Sequence, residues 1–215
     1  GRATRMPPEP AVADAAAFQA ATGVSRETRE RLEIYADLLV RWNQRVNLVG
    51  RATIPDLWTR HFLDSAQLFP LLPARPAGRS RTLVDLGSGA GFPGLVLAIM
   101  GAGEVHLVES VQKKTAFLHT VARETGAPVR VHACRIAAAP AVCADVVTAR
   151  ALAPLEDLFT HAARFAHSGT LGLFPKGRNA RQELTVARKA WNIRVTVHPS
   201  RTDAASRILE IAGIG

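Results

Sequence analysis

The chain has 215 residues, 47% of them hydrophobic, so it is long enough to bury a substantial core in one domain. Its formal net charge of +9 and its pI near 10.9 favour a polyanionic partner. No apolar run approaches the length of about 20 residues that a transmembrane helix needs, and no cluster of Cys and His has the spacing of metal ligands, so we expect neither a membrane span nor a metal site.

The first 80 residues predict a helical extension. Apolar residues recur at spacings of three and four over 25–49, which is typical of one amphipathic helix with Ser25 as its N-cap. A second helix is predicted over 55–72, with Pro55 in its first turn. The Pro-, Gly- and Arg-rich segment 73–80 then breaks the helical pattern.

From residue 81 onward, short apolar runs alternate with helical stretches, which is typical of a parallel sheet covered by helices on both faces. Seven strands are predicted, at 82–86, 105–109, 129–133, 146–149, 170–174, 194–198 and 207–212. Helices are predicted at 93–100, 112–125, 155–166 and 181–191. The sequence therefore predicts an α/β fold with a mostly parallel sheet in residues 81–215 and a helical extension in residues 1–80.

The most informative segment is 82–94, where a buried strand runs into a glycine-rich turn and then into a helix. Ligands of open α/β sheets bind here, beyond the carboxyl end of the strand. Gly87, Gly89 and Gly91 allow the backbone to turn sharply and to approach a ligand that a Cβ atom would repel. A purely structural turn is the alternative interpretation.

The residues around the glycines discriminate among ligands. A dinucleotide site would carry a glycine where Phe92 stands, and no GxxxxGK phosphate loop is present, so NAD and ATP are disfavoured. Asp85 opens the loop, and Glu109 ends the next strand 22 positions beyond Gly87. Two carboxylates suit a cationic ligand with a ribose, and S-adenosylmethionine fits that description. We predict that Glu109 accepts hydrogen bonds from the ribose hydroxyls and that Asp85 orders the loop near the methionine end.

Further motifs occur along most of the chain: Trp42-Asn43 with Asn47-Leu48, the segment 60–65, the glycine loop, Glu109-Ser110 with Lys113-Lys114, Arg150-Ala151 and Lys176-Gly177. Together they resemble the bacterial 16S rRNA guanine-N7 methyltransferases, historically called glucose-inhibited division protein B. The resemblance implies a class I, Rossmann-like methyltransferase. It also implies methyl transfer from S-adenosylmethionine to N7 of a guanine in a conserved loop of 16S rRNA.

The resemblance also implies which residues bind the cofactor. Gly87 and Phe92 match contacts of the cofactor loop, and Arg150 matches a contact between cofactor and substrate. Ile136 and Ala137 match the pair beside the adenine. The family usually has an acidic residue at the position of Ala137, so the resemblance leaves only a backbone contact to the adenine there.

Three basic residues follow predicted strands at the carboxyl edge of the sheet, where active sites gather. We predict that Arg150 contacts the reactants and that Lys176 contacts RNA phosphate or base. Arg135 is the third candidate, although it fits a surface role equally well. His61 and Asp64 lie three apart on a predicted helix, so we expect them to bind the helical extension to the main domain rather than to act in catalysis.

Methylation at N7 requires few catalytic side chains. The N7 atom of guanine has a free lone pair at neutral pH, so no general base is needed, and positioning the reactants can supply roughly 7 to 11 kcal/mol. No Asn-Pro-Pro-aromatic or Pro-Cys motif points to amino or cytosine C5 methylation. Two alternatives remain open: a class I methyltransferase for a small molecule or protein, and a non-catalytic RNA-binding assembly factor.

The remaining expectations concern the state of the protein. We expect a monomer in the cytoplasm, with Cys134 and Cys143 as buried, reduced thiols. Residues 1–10 contain two arginines but no apolar region of a signal peptide, so we expect them to be disordered.

Overall fold

The computed structural model describes residues 11–215, and a seven-stranded sheet runs through this part of the chain. The strands are β1 (Thr82–Leu86), β2 (Glu104–Glu109), β3 (Val129–Ala133), β4 (Val146–Ala149), β5 (Leu171–Lys176), β6 (Arg194–Pro199) and β7 (Arg207–Ala212). Their order is β3-β2-β1-β4-β5-β7-β6, and β7 runs antiparallel to both of its neighbours. The predicted α/β sheet is confirmed. The expected disorder of residues 1–10 lies outside the described residues.

Helices cover both faces of the sheet. The α-helices are α1 (Ala15–Thr22), α2 (Arg26–Trp42), α3 (Asp64–Ala66), α4 (Gly94–Ile99), α5 (Gln112–Thr125), α6 (Leu155–Ala163) and α7 (Ala180–Ala187). Apolar side chains of α2, α4 and α5 pack in one buried cluster, and those of α6 and α7 pack in another. Neighbouring strand residues belong to alternate clusters, as Leu83 and Val84 do, so the clusters lie on opposite faces.

The order of the strands places a crevice at one edge of the sheet. Strand β1 pairs with β2 on one side and with β4 on the other, so successive strands are added in opposite directions from this point. Strands β1 to β5 are parallel, and their carboxyl ends therefore meet at one edge. Open α/β sheets bind ligands at the carboxyl ends of strands beside such a switch point.

The N-terminal helices differ from the prediction. The helix predicted over 25–49 ends at Trp42, because the Asn43 side chain accepts hydrogen bonds from the N–H groups of Leu48 and Val49, both at 3.0 Å. That pairing closes a turn where a helix would have continued. Sequence reasoning also missed α1, whose alanines show no clear amphipathic period.

The second predicted helix, over 55–72, was also wrong in detail. The chain forms a 3-10 helix at Arg51–Asp56, a π-helical stretch at Trp58–Leu63, the short α3, and a 3-10 turn at Phe69–Leu71. Pro55 lies inside the first of these, where its missing N–H disfavours a regular α-helix. His61 in the π-helical stretch and Asp64 at the start of α3 both contact Arg150, which directly follows β4.

The helical extension and the sheet share one core. The ring of Tyr35 on α2 is fully buried, stacks on Phe92 with 5.4 Å between ring centroids, and packs edge-on against Phe62. Its hydroxyl donates a hydrogen bond of 2.5 Å to the carbonyl of Ala90. The extension therefore supports the glycine-rich turn directly.

Replacing Tyr35 with phenylalanine should lower the free energy of unfolding by about 1–2 kcal/mol, because the carbonyl of Ala90 would lose its buried donor while the ring contacts remain. Urea unfolding followed by circular dichroism measures this difference. An unchanged free energy of unfolding would contradict the role of the hydroxyl in holding the turn.

The cysteines differ from expectation as well. Cys143 is exposed and Cys134 is partly exposed, so the expectation that both are buried was wrong, although both are free thiols. Cys134 lies directly after β3 at the carboxyl edge, where the sheet opens to a cavity. Within residues 11–215, no helix is long and apolar enough to cross a membrane.

Candidate active site

A cavity of about 680 Å³ opens at the carboxyl edge of the sheet, above β1, β2, β3 and β4. We call it the first cavity. Its lining includes most of the glycine loop (Gly87 to Ala90 and Phe92), Glu109 after β2, Arg135 to Ala137 after β3, and Arg150 to Leu152 after β4. Most of the predicted cofactor residues thus come together in one place. Asp85 and Gly91 do not line it.

The glycine loop takes a conformation that side chains disfavour. Gly87, Gly89 and Gly91 have φ values of 64°, 55° and 101°. A Cβ atom on Gly87 would lie 2.6 Å from Cδ1 of Leu152, whereas one on Gly89 would meet no protein atom closer than 3.9 Å. The surface above Gly89 is therefore open to a ligand, and Gly91 instead packs against the core below.

Glu109 joins the loop to the end of β2. Its side chain is 8% exposed, Oε1 accepts a 2.9 Å hydrogen bond from the N–H of Gly89, and Oε2 accepts a 2.8 Å bond from the N–H of Val111. Each carboxylate oxygen can accept a second hydrogen bond. These free acceptor positions match two ribose hydroxyls, and the contacts themselves stay a prediction.

Asp85 lies beneath the loop, fully buried. Its Oδ1 accepts a 2.7 Å hydrogen bond from Thr148, while Oδ2 has no hydrogen-bond partner within residues 11–215. Burial raises the pKa of Asp85 to about 6, and the bond from Thr148 offsets part of this shift. Ionisation of the Asp85 carboxylate therefore costs free energy in the folded protein.

Replacing Asp85 with asparagine should make the protein more stable at pH 7 by up to about 3 kcal/mol. The folded pKa near 6 exceeds the ordinary value of 3.8, so the folded state holds its proton more tightly than the unfolded state. The stability that this proton contributes is present below pH 4 and is lost as the pH rises through 6. Urea unfolding between pH 4 and pH 8 should show the gain shrinking toward pH 4.

Asp145 provides a control of opposite sign. Its hydrogen bonds with Arg79 hold the pKa of Asp145 below its ordinary value, so Asp145→Asn should destabilise the protein at pH 7. A gain for Asp85→Asn that stayed constant with pH would contradict the buried, costly charge.

Phe92 has two environments. Its ring is only 4% exposed and stacks between Tyr35 and His61, so it belongs to the core more than the sequence predicted. It also lines the first cavity, and the guanidinium carbon of Arg150 lies 5.0 Å above its ring. The ring therefore supports Arg150, and a direct contact with a ligand stays a prediction.

Arg150 is held by the helical extension. Its guanidinium donates to Oδ2 of Asp64 at 3.1 Å, to Nδ1 of His61 at 3.0 Å and to the carbonyl of Arg60 at 3.2 Å. The expectation that His61 and Asp64 bind the extension to the main domain is confirmed. Asp64 also accepts a 2.7 Å hydrogen bond from Thr202 in the β6–β7 loop.

His61 is neutral in this network. Burial, and then the positive charge of Arg150, lower the pKa of His61 to about 3. Because arginine can only donate, Nδ1 of His61 accepts, and Nε2 carries the proton that faces Thr53 Oγ1 at 2.7 Å. His61 therefore orients Arg150 without adding a second positive charge.

A second cavity, also about 680 Å³, adjoins the first and shares Arg150 and Ala151 with it. Its other lining residues come from the α3 region, Pro154 before α6, the end of β5 and the turn after it, the first turn of α7, the β6–β7 loop and the start of β7. Lys176 lies here and not in the first cavity. Its ammonium donates to the carbonyl of Ala153 at 2.6 Å and to Glu183 at 3.2 Å.

The site contains residues that sequence reasoning missed. Leu48 and Val49, in the turn closed by Asn43, line the first cavity. The Asn47-Leu48 motif was a signal that could have identified them. Ala151 has a φ of 52°, which is unfavourable for a residue other than glycine and is typical of functional sites. Of the two adjacent lysines, Lys114 lines the first cavity, whereas Lys113 is exposed on α5.

The sequence is similar to proteins of one known family. The family described as GidB, rRNA small subunit methyltransferase G, matches residues 28–208. Ribosomal RNA small subunit methyltransferase G of Rhodospirillum centenum is 58% identical over 197 residues, which cover 92% of this chain and 89% of the relative. The match includes the glycine loop, both cavities and most of the helical extension.

Solved structures support the fold. A SAM dependent methyltransferase from Aquifex aeolicus superimposes with a TM-score of 0.56 at 15% identity, over 75% of this chain and 94% of that chain. Cofactor-bound Rv0187 from MTB superimposes with a TM-score of 0.62 at 15% identity, over 95% and 98% of the two chains. These similarities confirm a class I methyltransferase fold. The family match and the high identity together show that this chain belongs to the GidB family of rRNA small subunit methyltransferase G.

Proposed function

We propose that this protein transfers the methyl group of S-adenosylmethionine to N7 of a guanine in 16S rRNA of the small ribosomal subunit. One observation carries the proposal: two adjoining cavities share Arg150 and Ala151 at the carboxyl edge of the sheet. The first has the open glycine surface that an adenosyl ligand needs, and the second is lined by four basic and two acidic side chains. A methyl donor and a base of an anionic polymer would meet at the shared residues.

The first cavity fits the cofactor. Gly89 leaves room for close approach, the positive φ of Gly87 turns the loop, Glu109 would hold the ribose, and Ile136 and Ala137 would lie beside the adenine. Asp85 beneath the loop would favour the positive charge of the sulfonium, which offsets the cost of its own ionisation. When bound, S-adenosylmethionine supplies an electrophilic methyl group.

The second cavity fits the base and its phosphates. Lys176, Arg178 and Arg207 line it, and Arg150 lies at its boundary with the first cavity. Cations there would neutralise RNA phosphates, while Arg150 would orient the base toward the methyl group. Arg135 is exposed at the rim of the first cavity and would contact RNA from that side. No residue needs to remove a proton, because N7 of guanine is unprotonated at neutral pH.

The proposed function also suggests where the protein acts, in which oligomeric state, and what each part of the chain does. We propose a cytoplasmic monomer that needs no metal ion; within residues 11–215, no group of three His, Cys, Asp or Glu side chains could hold one. Residues 81–215 would carry the cofactor. Residues 1–80 would act as an extension that orients Arg150 through Asp64 and closes the first cavity with Leu48 and Val49.

Mass-spectrometric mapping of N7-methylguanine in 16S rRNA, from cells with and without this protein, tests the proposal. We expect one methylated guanine to be lost without the protein and restored by the purified protein with S-adenosylmethionine. Identical methylation in both cells, or labelling of protein or small molecules in an extract depleted of RNA, would contradict it.

A further inference from the structure

The second cavity contains the ion pair of Lys176 and Glu183, whose hydrogen-bonding groups are only partly occupied by the described residues. Both hydrogen bonds to the Glu183 carboxylate end on Oε1, one from Lys176 at 3.2 Å and one from the N–H of Leu155 at 3.3 Å. Oε2 receives no hydrogen bond from any residue of the described part of the chain. The Glu183 side chain is 23% exposed and lines the second cavity. A free carboxylate oxygen is therefore available to a ligand there.

Lys176 adds a donor beside this acceptor. Its side chain is 10% exposed, and its ammonium has three N–H groups, of which two point to the carbonyl of Ala153 and to Glu183. The third remains for a ligand. Asp64, the other carboxylate in the cavity, is already bonded on both oxygens, since Oδ1 accepts from Thr202 and Gln67 and Oδ2 accepts from Arg150.

A carboxylate acceptor beside an ammonium donor complements guanine and not adenine. The Watson–Crick edge of guanine carries two neighbouring donors, N1–H and N2–H, beside the acceptor O6. A carboxylate next to a cation matches that edge, and enzymes that act on an extruded base read the same edge. Adenine would place its N1 lone pair against the carboxylate, which is repulsive.

The position of Lys176 and Glu183 agrees with the orientation that methylation at N7 requires of the guanine. N7 lies on the opposite side of the purine from N1 and N2. With N7 directed at the first cavity, past Arg150 and Ala151, the N1–N2 edge points into the second cavity, where Glu183 lies. This step rests on the proposed function.

We propose that Glu183 determines the specificity for guanine, with Oε2 accepting hydrogen bonds from N1–H and N2–H of the base, and that Lys176 positions Glu183. The β4–α6 loop links this contact to the reaction, since it begins at Arg150 and is held at Ala153 and Leu155 by the same pair. Recognition of the base and placement of Arg150 then occur together.

The test compares 16S rRNA with guanosine or inosine at the target nucleotide, since inosine lacks only the 2-amino group. For the wild-type protein we expect kcat/KM to be about tenfold or more higher on guanosine, the effect of one hydrogen bond to a charged group. Glu183→Gln keeps the carbonyl oxygen that accepts from Leu155 and Lys176, so it should fold. It should lower kcat/KM on guanosine and abolish the preference over inosine.

Glu156→Gln is the matched control, because Glu156 is exposed in the first turn of α6 and lines neither cavity. It should keep wild-type rates and preference. If Glu183 only held the β4–α6 loop, Glu183→Gln would slow both substrates equally and keep the preference, and that result would overturn the inference. A wild-type protein without any preference would also overturn it while leaving the proposed function intact; absence of N7-methylguanine would overturn the function itself.

Discussion

Replacing Gly87 with alanine is expected to weaken binding of S-adenosylmethionine on the order of a hundredfold while the protein stays folded. The new methyl group would stand 2.6 Å from Cδ1 of Leu152 and would displace that side chain at the mouth of the first cavity. The backbone at Gly87 would also be pushed away from its φ of 64°. Titration calorimetry measures the loss of affinity.

Gly126 provides the control for backbone strain. It has a φ of 67° at the end of α5, and a Cβ atom there would meet nothing within 4 Å. Gly126→Ala should therefore cost about the same conformational energy, roughly 1 kcal/mol, in unfolding experiments without changing cofactor affinity. Wild-type affinity in Gly87→Ala would contradict the assignment of the glycine loop to the cofactor.

The sheet could be predicted because its strands are buried on both faces. Strands β1 and β4 are almost entirely inaccessible and appear in the sequence as short apolar runs between turns. The glycine loop and Glu109 could be located for the same reason, since each directly follows such a run. Local sequence was sufficient wherever one element alone determined the feature.

The helical extension was less predictable, because side-chain contacts decide its shape. Apolar spacing continues past Trp42, but the Asn43 side chain captures the N–H groups of Leu48 and Val49 and ends the helix. The spacing of apolar residues gives no sign of these hydrogen bonds. The turn that results is the part of the extension that lines the first cavity.

The second cavity could not have been found from the sequence. Its residues come from segments far apart in the chain, as Asp64 and Arg150 are, 86 positions from one another. Lys176 and Arg150 were recognised because they end strands, but the spacing did not show that Glu183 pairs with Lys176. Such a site becomes visible only when the sheet brings the ends of its strands together.

Replacing Arg150 with alanine should lower kcat/KM for RNA methylation by about 10²–10³, the usual effect of removing one positioned donor at a reacting group. Arg150 lines both cavities, and Asp64, His61 and Phe92 fix its guanidinium between them. Cofactor affinity should fall only severalfold, because the glycine loop and Glu109 remain. Methyl transfer from labelled S-adenosylmethionine gives the rate, and calorimetry gives the affinity.

Arg194→Ala is the matched control, because it removes the same charge at the far end of the sheet. Arg194 is exposed and pairs with Ala212 in β7, which in turn pairs with Leu171 at the amino end of β5, away from both cavities. Its rate should stay near that of the wild type. Equal losses of rate in both variants would mean that Arg150 contributes only to overall charge. An unchanged rate in Arg150→Ala would contradict the proposal that cofactor and base meet at Arg150 and Ala151.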